Sequence, residues 1–234
     1  MKKKILILLP TLNEVHHIQL LYKKISRLDI KVDILFIDDG SKDGTWKEIL
    51  KIKKKNRKKI FTIKRNKRKG LGKAHKDGLN WAYSQNYNFL ITMDTDFAHD
   101  PKYIPILLRN SKYFDMVITS RFKNSNSMKD WPIERKILTY ARYWVTKIIL
   151  SINFDASGAY RCFERRKVSL EDLVNVKSNH YDYFFESIYK LFKNNYKIYE
   201  VPIKLPYRKL GKSKMRLIHI IISLLTILKL RLTT

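Results

Sequence analysis

Cysteine is nearly missing from this chain: one residue, Cys162, stands among 234. That excludes an internal disulfide framework and any zinc site built from several cysteines, and it points to a reducing, cytoplasmic compartment. Acidic residues are also scarce, 21 Asp and Glu against 49 Lys and Arg, for a formal net charge of +28. Long apolar runs are short of what a bilayer requires. Leu217 to Leu228 is almost wholly apolar but contains His219, and as a helix it would extend only about 18 Å where a bilayer core needs about 30 Å. At the other end, Pro10, Asn13 and Glu14 interrupt the apolar run Ile5 to Leu9 too early for a secretory leader, so that run reads as a buried strand. No internal repeat and no Pro-, Gly- or Ser-rich linker divides the chain. One domain over residues 1–210 is expected, followed by an amphipathic helix over 211–234.

What is present is ample core material, 44% hydrophobic and 12% aromatic residues, which argues against a disordered basic tail. The positive excess calls for an anionic partner. Residues 51 to 59 carry seven Lys or Arg, and Lys64 to Lys73 adds more, a pattern that attracts an anionic membrane surface or a polyphosphate ligand. A chain rich in Lys, Ile and Asn together also reflects an AT-rich coding sequence. Nucleic acid is not expected, because the basic runs lack the interleaved aromatics of a stacking platform. Leu217, Ile220, Ile221, Leu224, Leu225 and Leu228 recur at helical spacing, with Lys229 and Arg231 beyond them. That stripe suits either packing on a core or lying in a membrane interface.

Short apolar runs alternate with segments of helical period, the pattern of an α/β fold whose mostly parallel central sheet is flanked by helices. Strands are predicted at Ile5 to Leu9, Val32 to Ile37, Ile60 to Ile63, Phe89 to Met93 and Met116 to Thr119. Helices are predicted at Glu14 to Ser26, Thr45 to Ile52, Gly72 to Ser84, Tyr103 to Asn110 and about Pro132 to Leu150. In such folds ligands bind beyond the carboxyl ends of the strands. The polar clusters fall there: Pro10-Thr11-Leu12-Asn13-Glu14, Asp38-Asp39-Gly40-Ser41 and Asp94-Thr95-Asp96.

Asp94 and Asp96, one residue apart where a strand ends, offer paired hard oxygens for Mg²⁺ or Mn²⁺, cations that readily share themselves with substrate phosphates. Exposed turns also use Asp freely, but here Phe97-Ala98-His99-Asp100-Pro101 follows a buried-looking strand. Asp38 to Thr45 is a loop with two glycines in which Thr45 can cap the next helix, while Asp39 can accept hydrogen bonds from a nucleoside. Arg65 and Gly70-Leu71-Gly72-Lys73-Ala74 stand at a helix start, equally suited to a turn or to the close approach of a phosphate. The spacing of a Walker loop is absent.

In order and spacing, these segments resemble the family 2 glycosyltransferases, and within them the dolichol-phosphate (polyprenyl-phosphate) mannosyltransferase branch. Ser120-Arg121-Phe122, Trp131 with Arg135, Asp155 with Arg161, Glu200-Val201-Pro202-Ile203, and Arg208 through Gly211-Lys212-Ser213-Lys214 extend the resemblance to about residue 215. It implies a GT-A type nucleotide-sugar-binding fold, GDP-mannose as donor, Mg²⁺ or Mn²⁺ as cofactor, and inverting transfer to a polyprenyl phosphate. It further implies that Pro10, Leu12, Glu14, Ile37 and Asp39 contact the nucleoside, and that Asp94, Thr95 and Asp96 meet the diphosphate and its metal. Arg208 and Lys214 would clamp donor phosphates, and Arg121 and Arg135 would hold the acceptor phosphate, with Asp96, Arg121 and Arg135 central to the reaction. Ala98 stands where relatives carry Gln or Ser, so a third metal ligand would be a backbone carbonyl or water.

A lipid phosphate is already anionic, so no general base is required, and His99 is expected to be structural. Such an enzyme would sit peripherally on the cytoplasmic face of a membrane and could engage a membrane-protein partner. A second reading keeps the fold but takes a UDP-sugar donor and a saccharide or other lipid acceptor in cell-envelope glycan synthesis. That reading needs a base, for which only Glu186 is available. A third reading, a degenerate tether to lipid, would not require Asp39, Asp94, Asp96, Arg121, Arg135, Arg208 and Lys214 together.

Overall fold

Strands buried on both faces are written as apolar runs, and four such runs form the frame, β1 (Ile5–Thr11), β2 (Asp33–Asp38), β4 (Phe89–Thr92) and β5 (Met116–Ser120), with the less buried β3 (Ile60–Lys64) at the sheet edge. The computed structural model describes residues 3–207 and 217–232, and the side chains of the last helix from 222 onward. Arg208, the Gly211-to-Lys214 segment and the 210/211 domain boundary lie outside the described residues.

Helices α1 (Val15–Ser26), α2 (Thr45–Lys55), α3 (Leu71–Ser84), α4 (Ile104–Asn110) and α5 (Ile133–Leu150) alternate with these strands. Two further strands, β6 (Arg161–Glu164) and β7 (Ile198–Pro202), and three helices, α6 (Leu170–Val174), α7 (Tyr183–Lys193) and α8 (Leu217–Leu232), complete the fold. The seven strands run in the order β3-β2-β1-β4-β6-β5-β7. Only β6 is antiparallel, to both β4 and β5. The mostly parallel sheet is therefore as expected.

The sheet divides two apolar layers. Along β1 the side chains alternate: Leu6 and Leu8 join the layer beneath α3, while Ile7 and Leu9 join the layer containing Ile18 and Leu21 of α1 and Ile49 of α2. Each of these residues is buried, at about 1.5–3 kcal/mol of favourable transfer apiece. Helix α3 lies close on the sheet because Gly78 has no side chain; a Cβ there would stand 2.8 Å from Leu8 Cδ2.

Two details open the cleft. The ladder between β1 and β4 ends at Leu8 and Thr92, whereas β1 continues beside β2 to Thr11 and Asp38. Past Thr92 the chain leaves β1, tied back by the Thr95 hydroxyl donating to the Pro10 carbonyl (3.3 Å). The antiparallel β6 then begins opposite Thr92, where β4 ends. Residues 155–160 are thereby delivered to the carboxyl edge of the parallel strands, and the Thr92 hydroxyl fixes them by donating to the Ala159 carbonyl (2.6 Å).

Candidate active site

Two neighbouring clefts meet at Asp94 and Asp96. The first has an empty volume of about 840 Å³ and is lined by Pro10, Thr11, Leu12, Glu14, Asp39, Asp94, Thr95 and Asp96, with Arg68 and Tyr181 on its rim. Of the residues assigned to the donor, Ile37 does not line it. Its side chain is wholly buried in the layer beneath α3, and its carbonyl accepts the Thr11 hydroxyl (3.4 Å). Ile37 shares with Leu35 the face of β2 that packs beneath α3, because side chains alternate along a strand.

Asp39 is almost fully buried, and its carboxylate accepts the backbone N–H groups of Lys69 (2.9 Å) and Gly70 (3.1 Å) while facing Arg65 Nη1 at 3.2 Å. Three of its about four acceptor positions are therefore engaged. Asp39 shapes the 65–70 loop as well as lining the cleft. Glu14 is likewise buried, with His17 Nδ1 at 2.6 Å. Thr45 does not cap α2 as the sequence suggested. The capping carboxylate belongs to Asp43, which accepts from the N–H groups of Thr45 (3.0 Å) and Val15 (3.1 Å), and the Thr45 hydroxyl accepts from Glu14 N–H (2.7 Å).

The Gly70-to-Ala74 stretch also has a packing purpose. Gly70 adopts φ +103°, and a Cβ on Gly72 would lie 2.5 Å from Tyr183 Cβ and 2.9 Å from the His180 carbonyl oxygen. The small residues admit segment 179–183 against the start of α3, where Lys73 N–H donates to the Asn179 carbonyl (3.0 Å). Tyr181, carried on that segment, lines both clefts.

The second cleft is bounded by Asp94, Asp96, Ala98 and His99 at one end and by Arg121, Arg135, Arg142 and Ser157 along its wall. Arg121 is held by Asp155 through Nε (2.7 Å) and Nη2 (3.3 Å), and its Nη2 also donates to Ser157 Oγ (2.7 Å). Burial opposes ionisation of Asp155, but the Arg121 guanidinium and the Ser157 hydroxyl outweigh it and hold the carboxyl below its ordinary range. Arg135 lies across Tyr207 (5.5 Å to the ring), next to Trp131, whose indole N–H donates to the Leu205 carbonyl (2.8 Å). The chain leading to Arg208 thus lines this cleft through Leu205, Pro206 and Tyr207. Arg161 does not pair with Asp155. It is buried, donating to the carbonyls of Gly158 (2.9 Å) and Phe184 (2.8 Å) and to Ser187 Oγ (2.9 Å).

Arg142 escaped the sequence reading. It follows Arg135 by seven residues, two helical turns along the same face of α5, and that spacing was the available signal.

His99 accepts the Asp94 backbone N–H on Nδ1 (2.9 Å), and burial pushes its pKa down to about 4. A neutral ring that supports the turn of Asp94 is a structural part, as expected. Glu186 accepts the N–H groups of Lys177 and Ser178 (2.8 Å each), a loop-capping task away from either cleft. Asp94 and Asp96 fit a hard divalent cation by their donor chemistry and by their position where the clefts join. No cluster of three His, Cys, Asp or Glu surrounds them among the described residues. The cation would complete its shell from substrate phosphate oxygens and water, as Mg²⁺ commonly does.

Two clefts thus meet at an Asp-x-Asp turn, one of them lined by arginines, and the family model for "Glycosyl transferase family 2" matches residues 6–174. The chain belongs to glycosyl transferase family 2. This glycosyltransferase is 30% identical to the undecaprenyl-phosphate mannosyltransferase of Micrococcus luteus, over 91% of its own length and 87% of that protein's. It is 28% identical to the polyprenol monophosphomannose synthase of Mycolicibacterium smegmatis, over 91% and 81% respectively. Its fold matches glucosyl-3-phosphoglycerate synthase of Mycobacterium tuberculosis in complex with Mn²⁺, UDP-glucose and phosphoglyceric acid. There the TM-score is 0.65 at 16% identity, covering 98% of this chain and 79% of that one. The same enzyme has also been crystallised with Mg²⁺ and UDP. The glycosyltransferase therefore has the GT-A type fold.

Proposed function

We propose that this glycosyltransferase moves mannose from GDP-mannose, with inversion, onto the phosphate of a polyprenyl lipid. The observation that carries this reading is the convergence of Arg121 and Arg135, with Ser157, on a cleft that opens at Asp94 and Asp96 onto the cleft lined by Pro10, Leu12, Glu14 and Asp39. Guanidinium groups match phosphate oxygens in geometry and charge. The two mannosyltransferase relatives support the same acceptor class.

In this reading Pro10, Leu12 and Glu14 cradle the nucleoside, and Asp39 sets the loop that closes over it. Asp94 and Asp96 would hold Mg²⁺ or Mn²⁺, which when bound offsets charge on the departing diphosphate. Arg121 and Arg135 hold the acceptor phosphate in line with the sugar, and this alignment lowers the barrier by removing orientational freedom before the reaction. The acceptor oxygen attacks as the anion it already is, so His99 can remain neutral and no side chain need take up a proton. Arg208 and Lys214 would close the donor side from the segment after Tyr207.

A membrane location follows from the same reading. Ile133, Ile137, Leu138, Trp144 and Ile148 of α5 are exposed, as are Leu224, Leu225, Leu228 and Leu232 of α8, which packs against α5. Among the described side chains of α8 those buried are Ser223 and Ile227, so Leu224, Leu225 and Leu228 do not serve the core. No described helix is long and apolar enough to cross a membrane. Two apolar stripes beside Lys147, Lys229 and Arg231 suit an anionic bilayer surface.

The test is transfer from labelled nucleotide sugars to polyprenyl phosphate by the purified protein, with and without chelator. Chelator-sensitive labelling of the lipid from GDP-mannose is expected. Labelling from a UDP-sugar, or sugar release without lipid labelling, would reassign the substrates within the same fold.

A further inference from the structure

We propose that Arg142 is a third phosphate-binding residue, one that makes the acceptor wall selective for a phosphomonoester dianion over a monoanionic phosphodiester. The inference rests on the acceptor reading above and extends it to a residue outside the motifs that carried the resemblance. Its basis is an imbalance of charge held in place by one hydroxyl. Ser157 Oγ donates to Asp155 Oδ1 (2.8 Å) and accepts both from Arg121 Nη2 (2.7 Å) and from Arg142 Nη2 (3.3 Å). A hydroxyl has one proton to give and two lone pairs to fill, so Ser157 is saturated, and two guanidinium groups meet on a single neutral oxygen.

Asp155 answers only one of them. Both of its oxygens are engaged by Arg121 and by the N–H and hydroxyl of Ser157. Among the described residues no carboxylate lies within ion-pair distance of Arg142 or Arg135. The Arg142 guanidinium lies 5.8 Å from the Phe185 ring centre, which directs it without neutralising it. The other ionisable groups nearby leave the imbalance standing. Glu200 is occupied by the Asp155 N–H (2.7 Å) and faces Lys123 at 3.6 Å. Burial keeps the Tyr143 phenol in its neutral form. Asp94 and Asp96 also line the cleft; they are the pair suited to a divalent cation, which when bound would offset their two charges.

The wall formed by Arg121, Arg135, Arg142 and Asp155 thus carries two more cations than anions. Holding like charges together in a partly dry cleft is costly. The same cost favours a ligand whose charge cancels it, and a phosphomonoester above its second pKa, near 6, carries the matching two negative charges. Arg142 itself stays protonated at neutral pH, although burial and the neighbouring Arg121 bring its pKa down to about 10.

The experiment measures binding of farnesyl phosphate, its methyl phosphodiester and inorganic phosphate to the full-length protein, alongside GDP, for wild type, Arg142→Gln and Arg142→Lys. Charge-assisted hydrogen bonds of this kind correspond to roughly ten- to hundredfold in affinity. Arg142→Gln is expected to weaken farnesyl phosphate by about that factor, the diester by less than threefold and GDP by less than twofold. Arg142→Lys should recover part of the loss, since it restores the charge but not the fork. Circular dichroism confirms that each variant is folded, and Arg142→Lys keeps the test alive if the Gln variant is not.

Unchanged selectivity between monoester and diester in the variants would overturn the proposal, as would an equal loss of GDP affinity, which would place Arg142 on the donor side. Inorganic phosphate binding as tightly as farnesyl phosphate would overturn the lipid assignment of the site. A wild-type protein that binds farnesyl phosphate through Arg142 yet transfers no sugar to polyprenyl phosphate would sink the substrate reading and leave the Arg142 site intact.

Discussion

The clefts proposed for donor and acceptor share Asp94 and Asp96 but are built by different means. Donor-side residues stand at the ends of β1, β2 and β4, three neighbouring strands that run parallel, and each polar cluster follows its own strand within a few residues. The acceptor wall is gathered from afar. Arg121 reaches Asp155 across 34 positions, and Asp155 N–H reaches Glu200 across 45. The strand that makes this convergence feasible, β6, runs against its neighbours. Parallel βα units place ligand groups by local rule, whereas a site assembled by a reversed strand and a crossing helix depends on contacts that no local pattern announces.

The largest effect that would sharpen this comparison is at the shared hinge. Asp96→Ala is expected to lower transfer by at least about a thousandfold while the melting temperature stays within a few degrees, measured by lipid labelling and circular dichroism. Near-normal turnover in the folded variant would remove the metal role. Next in size is Asp155→Ala, which leaves Arg121 without its carboxylate in a half-buried wall. Breaking such a pair costs about 3–5 kcal/mol, so thermal unfolding should fall by roughly 10 °C, with acceptor use lost alongside.

The two sides can then be separated kinetically. Arg135→Ala should raise the KM for lipid about tenfold or more and leave that for the nucleotide sugar near wild type. Asp39→Asn should do the reverse, because it loosens the Lys69 and Gly70 backbone of the donor loop. Equal changes in both constants for either variant would break the division of labour.

A smaller effect concerns His75 on α3, buried against Tyr183 and Phe184, its Nε2 without a hydrogen-bond partner among the described residues. Burial lowers its pKa to about 3. Between that value and the unfolded value near 6.5, the unfolded chain binds the extra proton and the folded one does not. Stability therefore falls as pH falls, by up to about 1.4 kcal/mol per pH unit from this group. His75→Phe should flatten the decline in denaturation midpoint between pH 6 and 4. An unchanged slope would assign that decline to other groups. Least conspicuous is Cys162, whose thiol burial pushes up to about 12. It should resist aromatic disulfide reagents at pH 8 in the native protein and react fully in denaturant.

Most of the sheet could be read from the sequence because its strands are short, apolar and punctuated by helical periods. Ile5 to Leu9, Ile60 to Ile63 and Thr45 to Ile52 fall inside the observed elements. The elements β6 and β7 were not foreseen. Arg161-Cys162-Phe163-Glu164 is charged at both ends, and Ile198 to Pro202 is a partly exposed edge strand ending in proline, so neither shows an apolar run. In the first cleft the polar clusters around Pro10, Asp39 and Asp94 were legible from their positions after strands, and the roles of Pro10, Leu12 and Glu14 from the family resemblance alone. Ile37 was misplaced because its motif neighbours are polar and its own side chain faces the core. Arg142 was missed because it shares a helix face with Arg135 but no contiguous motif.

The sequence alone determined the class of fold and the family, and marked the polar clusters that line the first cleft, since strand periodicity and short polar motifs are local properties of the chain. Tertiary structure decided the acceptor side. Only the pairing of β6 against β4 and β5 brings Asp155 and Ser157 to Arg121 and Arg142, and such pairing is set by long-range burial and register, which act between residues that are not neighbours in the sequence.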